Sequence, residues 1–449
     1  MQRAKAGQPT LKHKAKDCWC TSFRFFGHHR RVAILSSFDS IFLVLRYLYQ
    51  MKPVLSKLFS DFFQSEKSAG LILILCTLLS LLIANSGWGG DYLSFWHEPV
   101  GFDVGSIHLK RPVEFWVNDG LMTIFFLLVG LEIERELYVG ELSTFRNALL
   151  PVFAAVGGML APALIHFLFN GATATQAGFG IPMATDIAFA LGILSLLGKK
   201  VPVNLKIFLT AFAIIDDLGA IILIAIFYTK ELSILYLGIA MAIWVGLFIL
   251  NRLKVHHLAP YLLSGSVMWY CMLQSGVHAT LSGLLLAFVL PFGNGDEKTA
   301  SYRLQHFLHK PVAFIVLPIF ALANTGIVLS SGWAQQLTTR NSLGIMFGLV
   351  IGKPLGVLLL SYMAVRLKIC QLSTGVNWKH ILGAAMLGGI GFTMSIFITL
   401  LAFNDGETII SSKFAVLISS FIAGLLGYLY LNAVTKQITN NSEALNNIS

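Results

Sequence analysis

The chain has 449 residues, of which 56% are hydrophobic and only 12% are charged, and its net charge is +10. A mean hydropathy of +0.73, with long uncharged runs between short charged loops, excludes a soluble globular domain and indicates a membrane protein. The cysteines are scattered, so we expect no disulfide framework, and the closest pair, Cys18 and Cys20, lacks a partner at metal-ligand spacing.

Residues 1–50 differ in composition from the rest of the chain, because they are rich in basic and aromatic side chains. Their apolar part contains Asp39 and Arg46, which makes it a poor membrane span. An amphipathic segment of the kind found at membrane interfaces begins at Met51, the expected natural start. We predict a basic extension over 1–50, either untranslated or surface-binding, a membrane domain over 51–435 and a polar cytoplasmic tail over 436–449.

The apolar runs predict an all-α membrane protein with about twelve transmembrane helices. The predicted spans lie near residues 70–87, 116–137, 147–169, 175–198, 205–228, 232–250, 258–274, 277–292, 311–330, 342–364, 379–403 and 413–434. If the first span starts in the cytoplasm, most basic loop residues lie on the cytoplasmic side, as the positive-inside rule requires. Both termini are then cytoplasmic. The net charge follows mostly from this topology, so no nucleic-acid partner is expected.

Residues 101–112 (GFDVGSIHLKRP) alternate apolar and polar side chains around Gly105 and Ser106. This alternation predicts a small β-hairpin on the membrane surface. Because an isolated hairpin is only marginally stable, a strand from a second copy would support it, and we predict a homodimer formed through this hairpin.

The fourth predicted span is interrupted. Its one ionisable residue, Asp186, lies in GFGIPMATDIAFALG, where Pro182 and the flanking glycines cannot continue a regular helix. Backbone groups exposed by a break at membrane depth must face a cavity or packed protein. A simple proline kink, with Asp186 capping the second half of the helix, is the alternative interpretation.

Asp216 and Asp217 stand side by side near the middle of residues 207–229, an otherwise uncharged apolar run. Inserting one acidic residue at this depth costs about 2.5 to 3.5 kcal/mol, so two adjacent ones indicate a function. Carboxylate oxygens suit small hard cations and also bind protons. The pair therefore predicts a site for cations, protons or both in competition, although a buried pair satisfied by neighbouring helices is the alternative.

Lys353 is the one charged residue of the tenth predicted span, and it precedes Pro354. An ammonium group in hydrocarbon must lose its proton or find a carboxylate. The candidate partners are Asp216, Asp217 and Asp186. A purely structural ion pair is the alternative to a functional one.

The eleventh predicted span repeats the pattern of the fourth. In MLGGIGFTMSIFITL, glycines precede Thr393 and Ser395, and each interrupted span is the middle member of a triplet, spans three to five and ten to twelve. This arrangement is typical of inverted-repeat transporters, whose site lies at the membrane midplane between discontinuous helices.

Several segments of the chain together resemble the bacterial NhaA-type sodium/proton antiporters. They are FFLLVGLEIEREL at 125–137, ATDIAFALGIL at 184–194, AIIDDLGAI at 213–221, SGVHATLSG at 275–283, the Lys353-Pro354 pair and GIGFTMSIFI at 389–398. The resemblance implies a twelve-span inverted-repeat fold with crossed, broken helices four and eleven. It also implies that Asp216 and Asp217 form the cation and proton site, supported at the crossing by Asp186, Thr185 and Lys353.

The resemblance further implies a pH-regulating cluster on the cytoplasmic side. Its candidate members are Glu132, Arg135, Glu136, His278, Arg303, Gln305, His306 and His309. The sequence departs from the family pattern at two positions, because Gln305 stands where we expect Glu, and Glu134 stands where we expect a basic residue. We therefore expect a displaced pH–activity profile.

The expected function is exchange of cytoplasmic Na⁺ or Li⁺ for external protons across the bacterial inner membrane. Na⁺ and protons compete for the oxygens of Asp216 and Asp217, and alternating access of the loaded site turns this competition into exchange. Exchange of two protons for one Na⁺ would be electrogenic. We expect no cofactor besides the transported ions, and membrane lipid as the surroundings.

Two other classes of protein need different arrangements. An intramembrane aspartyl protease needs aspartates that face each other from different helices, such as Asp186 and Asp217. The adjacency of Asp216 and Asp217 and the nearby Lys353 argue against it. A channel filter is usually a ring of repeated subunits, whereas one asymmetric site between broken helices favours a carrier.

Overall fold

The computed structural model describes residues 66–104, 107–229, 232–329 and 332–446, so the predicted extension over 1–50 lies outside these ranges. The α-helices are α1 Glu66–Ala84, α2 Gly89–His97, α3 Val113–Tyr138, α4 Phe145–Asn170, α5 Ile187–Leu196, α6 Val203–Phe227, α7 Ile234–Arg252, α8 Leu258–Ser275, α9 Leu281–Ala287, α10 Ala300–Asn324, α11 Trp333–Leu337, α12 Arg340–Arg366, α13 Trp378–Gly388, α14 Phe392–Ala402 and α15 Gly406–Asn446. Shorter 3₁₀ helices cover Glu141–Ser143, Gln176–Met183 and Gly198–Lys200. The last helix continues through the boundary predicted at residue 436.

The all-α membrane fold is confirmed. Within the described residues, 8 helices are long and apolar enough to cross a membrane, or up to 10 spans if each of two bent pairs counts as one. These pairs are α1 with α2, bent by 113°, and α13 with α14, bent by 46°. The predicted spans near 258–274 and 277–292 correspond to α8 and to the 7-residue α9. At 1.5 Å per residue, α9 is only about 10 Å long, too short to cross a bilayer.

The predicted surface hairpin is present. Strands β1 (Pro99–Val100) and β4 (Arg111–Pro112) pair antiparallel, and so do β2 (Asp103–Val104) and β3 (Ile107–His108). The register pairs Asp103 with His108 and Val104 with Ile107, as expected for a hairpin within the alternating sequence 101–112.

Both predicted helix breaks occur. Residues 184–186 are not helical and separate the 3₁₀ helix Gln176–Met183 from α5. Residues 389–391 similarly separate α13 from α14. Each interrupted span is flanked by two long helices, α4 and α6 in one triplet and α12 and α15 in the other.

Helix α6, which carries the acidic pair, lies at the centre of the helix assembly. Of its most apolar stretch 67% is buried, against 11% for α7. Helix α7 thus exposes most of its apolar surface, whereas α6 is enclosed by other helices. Because α6 is enclosed, its two aspartates are shielded from lipid.

Helices α4 and α12 approach closely through facing glycines. A Cβ atom added to Gly157 would strike the backbone of Gly356, and one added to Gly356 would strike the backbone of Gly157. Small residues at such crossings allow helix backbones to pack together in a membrane. This contact joins the two triplets.

Replacing Gly356 should therefore weaken the assembly of the two triplets. We expect Gly356→Leu to lower the melting temperature of the purified protein, because overpacking costs about 1 to 3 kcal/mol. Gly246→Leu on α7 is the matched control, since no atom from another part of the described chain lies within 4 Å of a Cβ at that position. Equal melting temperatures for the two variants would contradict the assigned contact.

Candidate functional site

The two interrupted spans cross and bond to each other directly at and beside their breaks. The backbone N–H of Asp186 donates to the carbonyl of Ile390 at 2.6 Å, and the Ser395 hydroxyl donates to the carbonyl of Ile181 at 2.6 Å. Each break thus satisfies backbone groups that the other exposes, which is what membrane depth requires.

The Asp186 carboxylate caps the N-termini of two helices at once. Its Oδ1 accepts from the Phe189 N–H at 3.0 Å, at the start of α5. Its Oδ2 accepts from the Thr393 N–H at 3.1 Å and from the Thr393 hydroxyl at 2.6 Å, at the start of α14. A negative charge is favourable at the positive end of each helix.

Lys353 joins the crossing to α6. Of its three candidate partners, Asp216 is the one in contact, with Nζ and Oδ2 2.6 Å apart and both side chains 0% exposed. Nζ also donates to the carbonyl of Met183, at the C-terminal end of the 3₁₀ half-helix. The ammonium therefore balances a carboxylate and the negative end of a helix together. A π-helical turn, Gly348–Gly352, ends directly before Lys353.

Asp216 and Asp217 each have a buried oxygen with no hydrogen-bond partner in the described part of the chain, the Oδ1 atom in both cases. Buried carboxylate oxygens are normally satisfied, so these two atoms on adjacent residues are chemically able to accept a cation or a proton. Thr185 lies at the same break and donates its hydroxyl to the carbonyl of Gly388 at 2.8 Å. The Asp216 carboxylate is already engaged by Lys353, which leaves Asp217 as the less restrained of the two.

Thr393 belongs to the site, although the sequence alone did not predict a role for it there. Its position in the sequence could have indicated such a role, because Thr393 stands at the start of the second half of a broken helix, where hydroxyl side chains often bond the helix end. What could not be foreseen is that its hydroxyl and N–H both bond Asp186, which lies on the other broken helix.

Most candidate pH-regulating residues lie where the start of α10 packs against the end of α3. His309 Nδ1 is 3.6 Å from Glu132 Oε1, and the Arg135 guanidinium lies over the Tyr302 ring at 4.7 Å. His306 stacks on the same Tyr302 ring. Near the end of α3, the Glu136 carboxylate accepts from the Glu141 N–H at 3.0 Å. Arg303 is exposed on α10.

His278 lies apart from this cluster. Its Nε2 is 3.7 Å from Asp119 Oδ1, and its Nδ1 is 2.8 Å from the Thr280 hydroxyl. Asp119 precedes Glu132 by 13 residues in α3, which places the two about 20 Å apart along the helix. The structure therefore does not bring His278 together with the cluster residues at the start of α10.

The chain resembles known transporters over most of its length. The Na⁺/H⁺ antiporter 1 family model matches residues 60–431. The Na⁺/H⁺ antiporter NhaA of Flavobacterium psychrophilum is 61% identical over 379 residues, which cover 84% of this chain and 97% of that protein. The NhaA of Dechloromonas aromatica is 60% identical, with 84% and 96% covered, and that of Shewanella sp. strain ANA-3 is 48% identical, with 85% and 98% covered.

The Lys353–Asp216 pair predicts a distinctive pattern of stability. Lys353→Gln should destabilise the purified protein by about 3 to 5 kcal/mol, because one buried charge loses its partner. The double variant Asp216→Asn/Lys353→Gln should recover much of this loss, since neither position is then charged. Melting temperatures in detergent check the pattern. Equal losses in the single and double variants would show that the pairing of charges does not stabilise the fold.

Proposed function

The chain belongs to the Na⁺/H⁺ antiporter 1 family, as a transporter rather than an enzyme, and we propose that it exchanges cytoplasmic Na⁺ or Li⁺ for external protons at Asp216 and Asp217. The observation that carries the site assignment is the pair of buried, unpartnered Oδ1 atoms on these adjacent residues. Small hard cations prefer oxygen ligands, and these two atoms with the neighbouring Thr185 hydroxyl supply that chemistry. We assign Asp217 as the principal ligand because Asp216 is bonded to Lys353.

Exchange follows from competition at one set of oxygens. Two adjacent carboxylates repel each other when both are ionised, and either a proton or a cation relieves that repulsion. If the protein alternates access only when the site is loaded, each Na⁺ carried one way is matched by protons carried the other way. Lys353 takes part by holding Asp216 until a cation competes for it.

Electrogenic transport is the second part of the proposal. Two protons exchanged for one Na⁺ move a net charge, which a membrane potential drives with about 2.3 kcal/mol per charge per 100 mV. The two acidic residues of the site are consistent with this stoichiometry. The potential would then expel sodium from the cell.

We also propose a cellular location and an oligomeric state for the protein. The asymmetry of basic loop residues supports the bacterial inner membrane with both termini in the cytoplasm. The hairpin of residues 99–112 supports a homodimer, because a second copy could extend its short strands.

Regulation by pH is proposed for the contact between α3 and α10. Ser301, Gln305 and His309 follow one another at four-residue spacing, so they share one face of α10. The Ser301 hydroxyl donates to Glu134 Oε2 at 3.3 Å, and His309 faces Glu132. Gln305 thus stands between the partners of two carboxylates.

The acidic pair gives the central prediction. Asp217→Asn and Asp216→Asn should each abolish Na⁺-driven proton movement in everted vesicles, because an amide keeps the shape but cannot exchange a proton for a cation. Asp91→Asn in the exposed part of α2 is the control and should transport normally. Scanning Na⁺, Li⁺ and K⁺ across pH identifies the ion and the working range. Normal exchange by either variant would remove its residue from the site.

The position of Gln305 gives a prediction about pH. Gln305→Glu adds a carboxylate between the partners of Glu134 and Glu132, and protonation relieves the added repulsion. We therefore expect the pH–exchange profile to move to higher pH. Gln335→Glu on α11 is the control, since it makes the same change at an exposed position. An unchanged profile in the Gln305 variant, measured at low salt to limit screening, would exclude this residue from regulation.

A further inference from the structure

An apolar cavity of about 480 Å³ lies beside the helix crossing, between α1, α5, α14 and α15. Its walls are almost entirely hydrocarbon, and its lining includes Leu78, Phe189, Phe392, Leu425 and Tyr428. We call this cavity the lateral groove.

The lateral groove opens on the surface that faces lipid. Leu78, Leu196, Phe421 and Leu425 line it and are all exposed. They belong to segments whose length and hydropathy suit membrane crossing. The medium in contact with this opening is therefore lipid hydrocarbon, which matches the chemistry of the walls.

The inner wall of the groove belongs to the two half-helices that Asp186 caps. The rings of Phe189 and Phe392 meet with their centroids 5.3 Å apart. Phe189 donates its N–H to Asp186, and Phe392 donates its N–H to the Ser420 hydroxyl at 3.1 Å. An occupant of the groove would therefore rest directly on the crossing.

One end of the groove carries positive charge. Leu196 lies at this end, and the exposed Lys200 follows it by four residues, in the turn after α5. The exposed Lys436 lies two turns beyond Tyr428 on α15, about 12 Å along the helix. In the orientation proposed above, this end faces the cytoplasm. Two exposed ammonium groups there would complement an anionic headgroup.

We propose that the lateral groove binds an anionic phospholipid of the cytoplasmic leaflet, with one acyl chain against Phe189 and Phe392 and the phosphate near Lys200 and Lys436. The chain fills a space that protein side chains leave open. By resting on both half-helices, it restrains their relative movement, so occupancy of the groove modulates exchange.

Photolabelling in reconstituted vesicles tests the site directly. The probe is phosphatidylglycerol with a diazirine on its acyl chain, and labelled residues are located by mass spectrometry. We expect groove residues to be labelled about tenfold more than Ile226 on α6 and Leu235 on α7, which are at least as exposed as most of them, a preference of about 1.4 kcal/mol over bulk lipid. Equal labelling inside and outside the groove would overturn the proposal.

A pair of matched variants tests whether labelling and exchange depend on the groove itself or on the surrounding surface of α15. Leu425→Trp fills the groove, whereas Leu429→Trp makes the same change one turn further along α15, at an exposed residue outside the lining. We expect the first variant alone to lose the labelling and to change the rate of Na⁺/H⁺ exchange. Labelling retained in Leu425→Trp would overturn the site, and an unchanged rate after loss of labelling would overturn its effect on exchange.

The headgroup is tested with the corresponding phosphatidylcholine probe. Wild-type protein should label more weakly with it, and Lys200→Gln/Lys436→Gln should reduce phosphatidylglycerol labelling to the same level. Equal labelling of wild-type protein by the two lipids would overturn the anionic headgroup. Because labelling does not depend on transport, these outcomes are separate from those that test Asp216 and Asp217.

Discussion

The structure depends on one carboxylate that caps two helices. Asp186 accepts from N–H groups in the first turn of both half-helices that follow the breaks, and those half-helices belong to different triplets. Two positive helix ends would otherwise meet at membrane depth, where water cannot screen them. Neutralising them with one buried charge allows both spans to be broken, and the breaks open the polar region in which Asp216 and Asp217 lie.

The remaining charges of the site follow from this arrangement. Lys353 meets the negative end of a half-helix at Met183 and the carboxylate of Asp216 at the same time. One ammonium then serves two negative groups, and Asp217 is left with a buried oxygen that no described residue bonds. In the function proposed above, that unpaired oxygen is what a cation or proton would bind, because small hard cations and protons both need a free carboxylate oxygen.

The surroundings of the site combine rigid and adaptable contacts. Gly157 and Gly356 bring the backbones of α4 and α12 together without side chains between them, which leaves little freedom for either helix. The lateral groove is a loosely packed contact by comparison, because the side chains of α1 and α15 leave space beside the crossing. If helices move when access alternates between the two sides of the membrane, they would move more easily at the loosely packed groove than at the glycine contact.

The sequence alone determined the membrane fold, both helix breaks, the surface hairpin and the presence of an acidic pair in a span. These features are local, because hydrocarbon length, proline and glycine within a helix and the cost of burying a charge act on neighbouring residues. Only the tertiary structure decided that Lys353 contacts Asp216, that Asp186 bonds Thr393 and that His278 lies apart from the cluster at the start of α10. The first two contacts join residues 137 and 207 positions apart, and separations of that size carry no local signal in helix periodicity.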